Sequence, residues 1–132
     1  MSRRASEKSR EDYLKSILII QLKFGACRVI DVAKQMGVSK SSASVALKKL
    51  EEEGYAWKSD WRVLLTEQGK EIAESLYEKE LFFTECLIRM GVREETAKED
   101  ACQIGAVISE ETFGKMKDLF MLDQPEKVLK TG

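Results

Sequence analysis

The chain has 132 residues, with 22 Lys/Arg, 23 Asp/Glu and no histidine, so its net charge is -1. The absence of histidine excludes His-dependent catalytic triads, zinc fingers with imidazole ligands and the usual side-chain pH switch. No run approaches the roughly 20 apolar residues of a membrane-spanning helix, and the first residues do not resemble a secretory signal. We therefore expect a cytoplasmic protein without a membrane partner, built as one domain or as two small ones that share a core.

The three cysteines, Cys27, Cys86 and Cys102, are odd in number and widely separated, without a CxxC spacing. This pattern argues against a disulfide framework and against a structural zinc site. We expect reduced and mostly buried thiols.

Charge is divided unevenly along the chain. Residues 1–70 hold 14 Lys/Arg against 9 Asp/Glu, net +5, whereas residues 71–132 hold 8 against 14, net -6. This asymmetry suggests that the first half faces a polyanion and that the acidic half serves another purpose, such as association.

The first predicted elements are an amphipathic helix over residues 11–24, ended by Gly25, and a short helix over residues 29–36. A glycine turn at Gly37 follows, and Ser39 is a good N-cap for a third helix. Helix, tight turn and helix in this order predict a helix-turn-helix.

The third helix predicts a surface that can enter the major groove of DNA. Its inner stripe is Ala43, Ala46, Leu47 and Leu50, and its outside positions include Lys40, Ser41, Ser42, Ser44, Lys48 and Lys49. Short hydroxyl side chains permit close approach to base edges, and lysines neutralise phosphates. With two wing residues and Arg28, the candidate DNA-binding set is Arg28, Ser39, Lys40, Ser41, Ser42, Ser44, Lys48, Lys58 and Arg62.

Residues 55–58 and 62–66 predict two short strands with a turn at residues 59–61, which is the wing of a winged helix. Lys58 and Arg62 would reach phosphate or the minor groove, with Trp61 at the tip. We expect Trp57 to pack the hairpin.

The remainder of the chain predicts helices only. Thr66 caps a long helix that continues to residue 90, and further helices follow over residues 93–106 and 110–120, the last capped by Ser109. The aromatic cluster of the long helix suggests dimerisation. The predicted fold is mainly α, with a winged helix-turn-helix DNA-binding domain at 1–70 and a helical dimerisation domain at 71–132.

Several ordered motifs resemble the diphtheria-toxin-repressor family, in particular its shorter manganese-regulator type (DtxR/MntR). They are Glu11-Asp12-Tyr13-Leu14, Arg28-Val29-Ile30-Asp31-Val32-Ala33, Gly37-Val38-Ser39, the run from Leu47 to Tyr55, Leu65-Thr66-Glu67-Gln68-Gly69-Lys70, and the segment from Glu99 to Glu111. The resemblance implies a homodimeric winged-helix regulator in which iron or manganese licenses the binding of double-stranded operator DNA, without the third domain of longer members.

The resemblance also implies where metal ligands would lie. The first-helix positions are Asp12 and Lys15, the long-helix position is Glu80, and the last run supplies Cys102, Gly105 and Ala106. Gly105 and Ala106 cannot coordinate a metal, while Lys15 and the nearby Lys98 bring positive charge, so most of the affinity should be lost. We expect Cys102 to be a buried apolar thiol and Glu80 a solvated or lysine-paired carboxylate.

The leading hypothesis is therefore a DNA-binding regulator that acts as a repressor of transcription, has lost metal control and needs no cofactor. One alternative is a rebuilt site in which Asp12, Glu80, Glu99 and Cys102 bind Mn²⁺, Fe²⁺ or Zn²⁺. Others are a dimeric interaction module that modulates a related regulator without binding DNA, and a thiol redox sensor that uses Cys86 or Cys102. No constellation of nucleophile, base and substrate loop favours an enzyme.

Overall fold

The computed structural model describes residues 5–123, so the outer ends of both predicted domains lie outside the described residues. Within them the chain forms six helices and a two-stranded antiparallel sheet. In chain order these are α1 (Ala5–Phe24), α2 (Val29–Met36), α3 (Lys40–Glu52), β1 (Ala56–Ser59), β2 (Arg62–Leu65), α4 (Glu67–Arg89), α5 (Glu94–Val107) and α6 (Glu110–Asp123). The predicted fold class is confirmed. No helix in this part of the chain is long and apolar enough to cross a membrane.

Helix α1 supplies the centre of the main core. Leu14 and Ile17 are fully buried and Ile20 is 2% exposed, and they pack in one cluster with Val32, Leu47 and Ala73. The helix begins at Ala5, six residues before the predicted start, because the polar residues of its first turns leave no apolar periodicity to read. Gly25 ends it with a φ of 82°, a conformation that favours glycine.

The predicted helix-turn-helix is confirmed in detail. Gly37 ends α2 in the left-handed conformation, and Ser39 caps α3 by accepting a hydrogen bond from the Ser42 N–H at 3.1 Å. Ala43, Leu47 and Leu50 form the buried stripe of α3, as the spacing predicted.

Strands β1 and β2 form the predicted wing, with Ser59 opposite Arg62 and a two-residue turn at Asp60 and Trp61. Alternation of faces buries Ala56 and Val63 against the core, and the Val63 N–H donates to the Cys27 carbonyl at 2.8 Å. Trp57 does not provide the hairpin's buried contact as expected, because it lies on the outer face and is 45% exposed.

Helix α4 matches the predicted span, with Thr66 as its N-cap, and Ser109 caps α6 by accepting from the Thr112 N–H. A second core joins α4, α5 and α6 through Phe83, Ala101 and Phe113. The aromatic cluster expected to serve dimerisation packs within the chain instead, since Phe82 makes edge contacts with Phe83, Phe113 and Phe120 at centroid distances of 5.1–5.4 Å. The large apolar side chains left exposed on these helices include Leu81, Ile88, Met90, Val107 and Leu119.

The start of α4 touches the start of the wing so closely that only glycine fits at position 69. A Cβ on Gly69 would collide with the backbone carbonyl of Tyr55, whereas a Cβ on Gly114, also helical, meets nothing within 4 Å. We predict that Gly69→Ala lowers the free energy of unfolding by about 1–3 kcal/mol, and that Gly114→Ala raises it by about 0.5–1 kcal/mol. Urea denaturation of both variants checks this, and equal stability of Gly69→Ala and the wild type would contradict the close contact.

Candidate functional site

The outer face of α3 is an exposed surface of serine and lysine. Lys40, Ser41, Ser42, Ser44 and Lys48 are all exposed. The acidic residues of α3 are confined to its last turn. The helix therefore presents donors and positive charge, without an opposing carboxylate, over its first ten residues.

Hydroxyl contacts at the start of α3 divide the serines into two groups. Ser39 Oγ accepts from the Ser42 N–H, donates to Ser42 Oγ at 3.0 Å and lies 3.2 Å from Ser41 Oγ. Ser39 is thus committed to the helix cap. The Ser44 hydroxyl takes no part in these hydrogen bonds, so it is available to a ligand.

The wing lies beside this helix. Ser44, Lys48, Glu51 and Lys58 line one groove. The spacing alone could not show that a lysine of the wing and a lysine of the third helix share a groove. The groove therefore holds two lysines, one from α3 and one from β1, together with the carboxylate of Glu51.

The tip of the wing is joined to the start of α2. Arg28, Asp31 and Trp61 line a second groove, and the Arg62 guanidinium lies 5.9 Å from the Trp61 ring centroid. The Arg28 N–H and Nε both donate to Asp31 Oδ2, at 3.0 and 3.3 Å, which caps α2. The Arg28 side chain nevertheless remains 60% exposed.

Three of the positions that the resemblance assigns to metal ligands meet in space. Lys15 Nζ lies 3.2 Å from Glu80 Oε1 and 3.1 Å from Cys102 Sγ. These residues come from α1, α4 and α5. Glu80 is therefore paired with lysine, as expected, whereas Cys102 is a half-buried acceptor of an ammonium N–H and not an apolar core thiol.

The ammonium charge of Lys15 is stabilised at this place. Burial lowers the pKa of Lys15, but the hydrogen bond to Cys102 and the charge of Glu80 outweigh burial, so that the pKa is raised above 10.5. Lys15 is thus a cation at neutral pH.

The residues present do not fit the divalent metal that the family implies. Among residues 5–123, no three Asp, Glu or Cys side chains are placed to hold a metal ion together. The Lys15 ammonium contacts the atoms Glu80 Oε1 and Cys102 Sγ, which a metal would need as ligands. A Cβ on the buried Gly105 would lie only 3.1 Å from the Lys79 Cβ.

The other candidate positions do not complete a site. Glu99 is exposed on α5, Asp12 is half-buried on α1, and Ala106 supplies no donor. Lys98 is 65% exposed and paired with Glu94 at 3.1 Å.

The three cysteines are free, as predicted. Burial raises the pKa of Cys27 to about 12, which leaves it a protonated core thiol. Cys86 and Cys102 are half-buried.

Sequence reasoning missed Lys79, which is only 7% exposed. Its Nζ lies 2.7 Å from Glu110 Oε1 and 5.9 Å from the Phe113 ring centroid, and so it connects α4 to α6. The signal was present, because Lys79 interrupts the apolar stripe Ile72, Leu76 and Phe83 at helical spacing. A lysine at such a position needs an acidic partner from another element.

The two halves of the chain match the two parts of one family. Residues 7–60 match the family described as iron dependent repressor, N-terminal DNA binding domain, and residues 66–127 match iron dependent repressor, metal binding and dimerisation domain.

Individual relatives agree with this match. The chain is 31% identical over 104 residues to the transcriptional regulator MntR of Salmonella typhimurium, covering 78% of this chain and 66% of that protein. It is 32% identical over 126 residues to an uncharacterized HTH-type transcriptional regulator of Methanocaldococcus jannaschii, covering 91% of this chain and 98% of that one. The chain thus spans about two thirds of the length of the Salmonella relative.

Solved structures show the same fold. The crystal structure of IdeR from T. acidophilum superposes with a TM-score of 0.72 at 24% identity, covering 91% of this chain and 55% of that one. The manganese regulator SloR gives a TM-score of 0.70 at 26% identity, covering 84% and 53%. The chain spans about half the length of these two proteins.

The Lys79–Glu110 pair predicts a pH-dependent contribution to stability. Hydrogen bonds from Lys79 and Ser75 lower the pKa of Glu110 below 4.5, so its contribution is present above that value and is lost as pH falls through the lowered pKa. We predict that Glu110→Gln costs about 1 kcal/mol at neutral pH, since the carboxylate is largely exposed, and that the difference from the wild type disappears in acid. Urea denaturation at both pH values measures this.

The matched control is Glu78→Gln, which removes an exposed pair with Lys117. It should change stability little at either pH. A pH-independent loss in Glu110→Gln would show that the ion pair is not its cause.

Proposed function

The chain belongs to the iron-dependent repressor family, which its motifs already resembled, and from this we propose that it is a DNA-binding transcriptional regulator that acts as a homodimer. The observation that carries the proposal is the exposed serine and lysine face of α3, with Lys58 of the wing in the same groove as Lys48. Such a regulator acts by binding, without catalysis, in the compartment that holds the DNA, which agrees with the expected cytoplasmic location.

In the proposed complex α3 enters the major groove. Ser41, Ser42 and Ser44 lie on its exposed side and are short enough for the helix to approach base edges. Lys40 and Lys48 flank them in sequence and are exposed, so we expect them to contact backbone phosphates. Lys58 and Arg62 of the wing contact the neighbouring backbone, and Arg28 reaches phosphate from the start of α2.

The proposed dimer is formed by α4, α5 and α6. Residues 66–127 match a family part described as a dimerisation domain. Exposed aliphatic side chains on these helices, among them Ile88, Val107 and Leu119, are 43–70% accessible in the single chain. Large exposed apolar patches mark protein contacts, and the proposal places these side chains in the interface. A two-fold dimer would place two α3 helices on successive half-sites of a palindromic operator.

We also propose that DNA binding does not depend on a divalent metal. The support is chemical: Gly105 and Ala106 supply no ligand, and of the three remaining donors, Asp12, Glu80 and Cys102, the Lys15 ammonium contacts the last two. A divalent ion brought to those donors would be repelled by that ammonium group.

The DNA-binding surface is tested by removing one lysine at a time. We predict that Lys48→Ala and Lys58→Ala weaken binding to a duplex from the region upstream of the protein's own gene and to a scrambled duplex alike. Each should also reduce the slope of log affinity against log salt by about 1, because one phosphate contact is lost. Fluorescence anisotropy across a salt series measures both quantities.

Lys98→Ala is the control for charge, because Lys98 is equally exposed but lies on α5. It should leave affinity and salt slope unchanged. Ser44→Ala should change the preference between the two duplexes more than it changes overall affinity. Unchanged binding in both Lys48→Ala and Lys58→Ala would contradict the assignment of this surface, and a dimer that binds neither duplex would favour the interaction-module alternative.

Metal independence has its own test. We predict that protein dialysed against a chelator binds the upstream duplex with the same affinity before and after addition of Mn²⁺, Fe²⁺ or Zn²⁺. Calorimetric titration of the same protein with each ion should show no tight site. DNA binding that disappears with chelator and returns with one metal would refute the proposal and favour the rebuilt site of Asp12, Glu80, Glu99 and Cys102.

A further inference from the structure

We propose that Lys15 is a permanent internal cation that couples the DNA-binding half to the dimerisation half, at the place where relatives of this family are expected to hold a metal. The inference rests on the proposed function, and it names the contact that would keep the two halves in the arrangement that binds DNA. Lys15 acts as a positioning residue, since it lies in the interior between helices and not on the α3 surface. Its role is to fix the orientation of α1 relative to α4 and α5.

The ammonium group joins elements that are far apart in the chain. Lys15 belongs to α1, which packs in one core with Val32 of α2 and Leu47 of α3. Its two acceptors, Glu80 on α4 and Cys102 on α5, are 65 and 87 residues away in sequence. One side chain therefore connects the helix-turn-helix to two helices of the other half.

The contact between Lys15 and Glu80 is largely shielded from water. The Lys15 side chain is 13% exposed and that of Glu80 is 22% exposed. Salt screens a pair of this kind far less than it screens exposed pairs, and a hydrogen bond between charged groups is among the stronger ones. Removing the lysine alone leaves the Glu80 carboxylate partly buried without its cation, which is more costly than losing an exposed pair.

A covalently attached cation differs from a bound metal in one decisive respect. A metal couples two halves only to the extent that the site is occupied, and occupancy follows the ion concentration. Lys15 cannot dissociate, so the coupling between α1 and the pair α4 and α5 is the same at every metal concentration. The two α3 helices of a dimer would then stay at the spacing that DNA requires.

The test compares lysine variants of the full chain on the upstream duplex and on a scrambled duplex of equal length. We predict that Lys15→Met lowers affinity for the upstream duplex by about tenfold, within the range usual for coupling between sites. The salt slope should stay unchanged, because Lys15 contacts no phosphate. Lys15→Arg, which keeps the charge, should retain most of the affinity.

The matched control is Lys79→Met. Lys79 is also a buried lysine paired with a glutamate, but it connects α4 to α6 within one half. Its loss should leave DNA affinity unchanged. Glu80→Gln removes the negative charge that Lys15 pairs with but keeps the lysine and its contact with Cys102, so it should lower affinity to a lesser degree than Lys15→Met. The double variant Lys15→Met/Glu80→Gln should bind no more weakly than Lys15→Met alone, as expected for a coupled pair.

The outcomes separate this inference from the proposed function. If the wild type binds the upstream duplex and Lys15→Met, confirmed folded by circular dichroism, binds it equally well, the inference fails and the proposed function stands. An equal loss in Lys79→Met, or a loss in Lys15→Met with a reduced salt slope, would also overturn it. If Lys15→Met does not fold, Glu80→Gln decides, and full affinity in that variant refutes the coupling. If the wild type binds neither duplex, the proposed function fails first.

Discussion

The architecture depends on the burial of one face of α1. Leu14 and Ile17 have no exposed surface, and they contact a cluster that contains residues of α2, α3, β2 and α4. Complete burial of such side chains stabilises a fold by about 1.5–3 kcal/mol each. Because the same face packs against both halves, the helix-turn-helix and the long helix share one core instead of being connected only by a linker. Any movement of the α3 surface relative to α4 must disturb this packing.

The second core, among α4, α5 and α6, is organised by a buried charge as much as by its phenylalanines. Lys79 lies beside Phe113 and reaches Glu110, and Gly105 leaves room for the Lys79 side chain to pass. Glu78 pairs with Lys117 on the surface nearby. Glu78, Glu80 and Glu110 of the negative half therefore each pair with a lysine. One of these lysines, Lys15, belongs to the positive half, so its pair with Glu80 is an attraction between the two halves.

Local features could be predicted from the sequence because each depends on residues close together in the chain. The N-caps Ser39, Thr66 and Ser109, the buried stripe of α3 and the two-stranded wing follow from spacing within a few residues. The predicted start of α1 was wrong because polar helix-forming residues give no apolar periodicity. Spacing could not predict the partner of Lys79, 31 positions away, or the contact of Lys15 with Cys102, 87 positions away, although the resemblance had placed Lys15, Glu80 and Cys102 at one site. The exposure of Trp57 could not be predicted either. Alternation along the strand places Trp57 on the face opposite to Ala56, but it does not show which of the two faces the core covers.

Permanent coupling changes what can regulate such a protein. A site whose occupancy varies contributes a free energy that follows the ion concentration, whereas a lysine contributes a constant one. If DNA binding is independent of metal, as proposed, the amount of dimer becomes a variable that sets the binding equilibrium. Association of two chains and association with two half-sites both depend on chain concentration, so operator occupancy rises steeply with the amount of protein made. Under the proposed metal independence, the family's scaffold would be retained for its geometry, and the level of the protein would set operator occupancy.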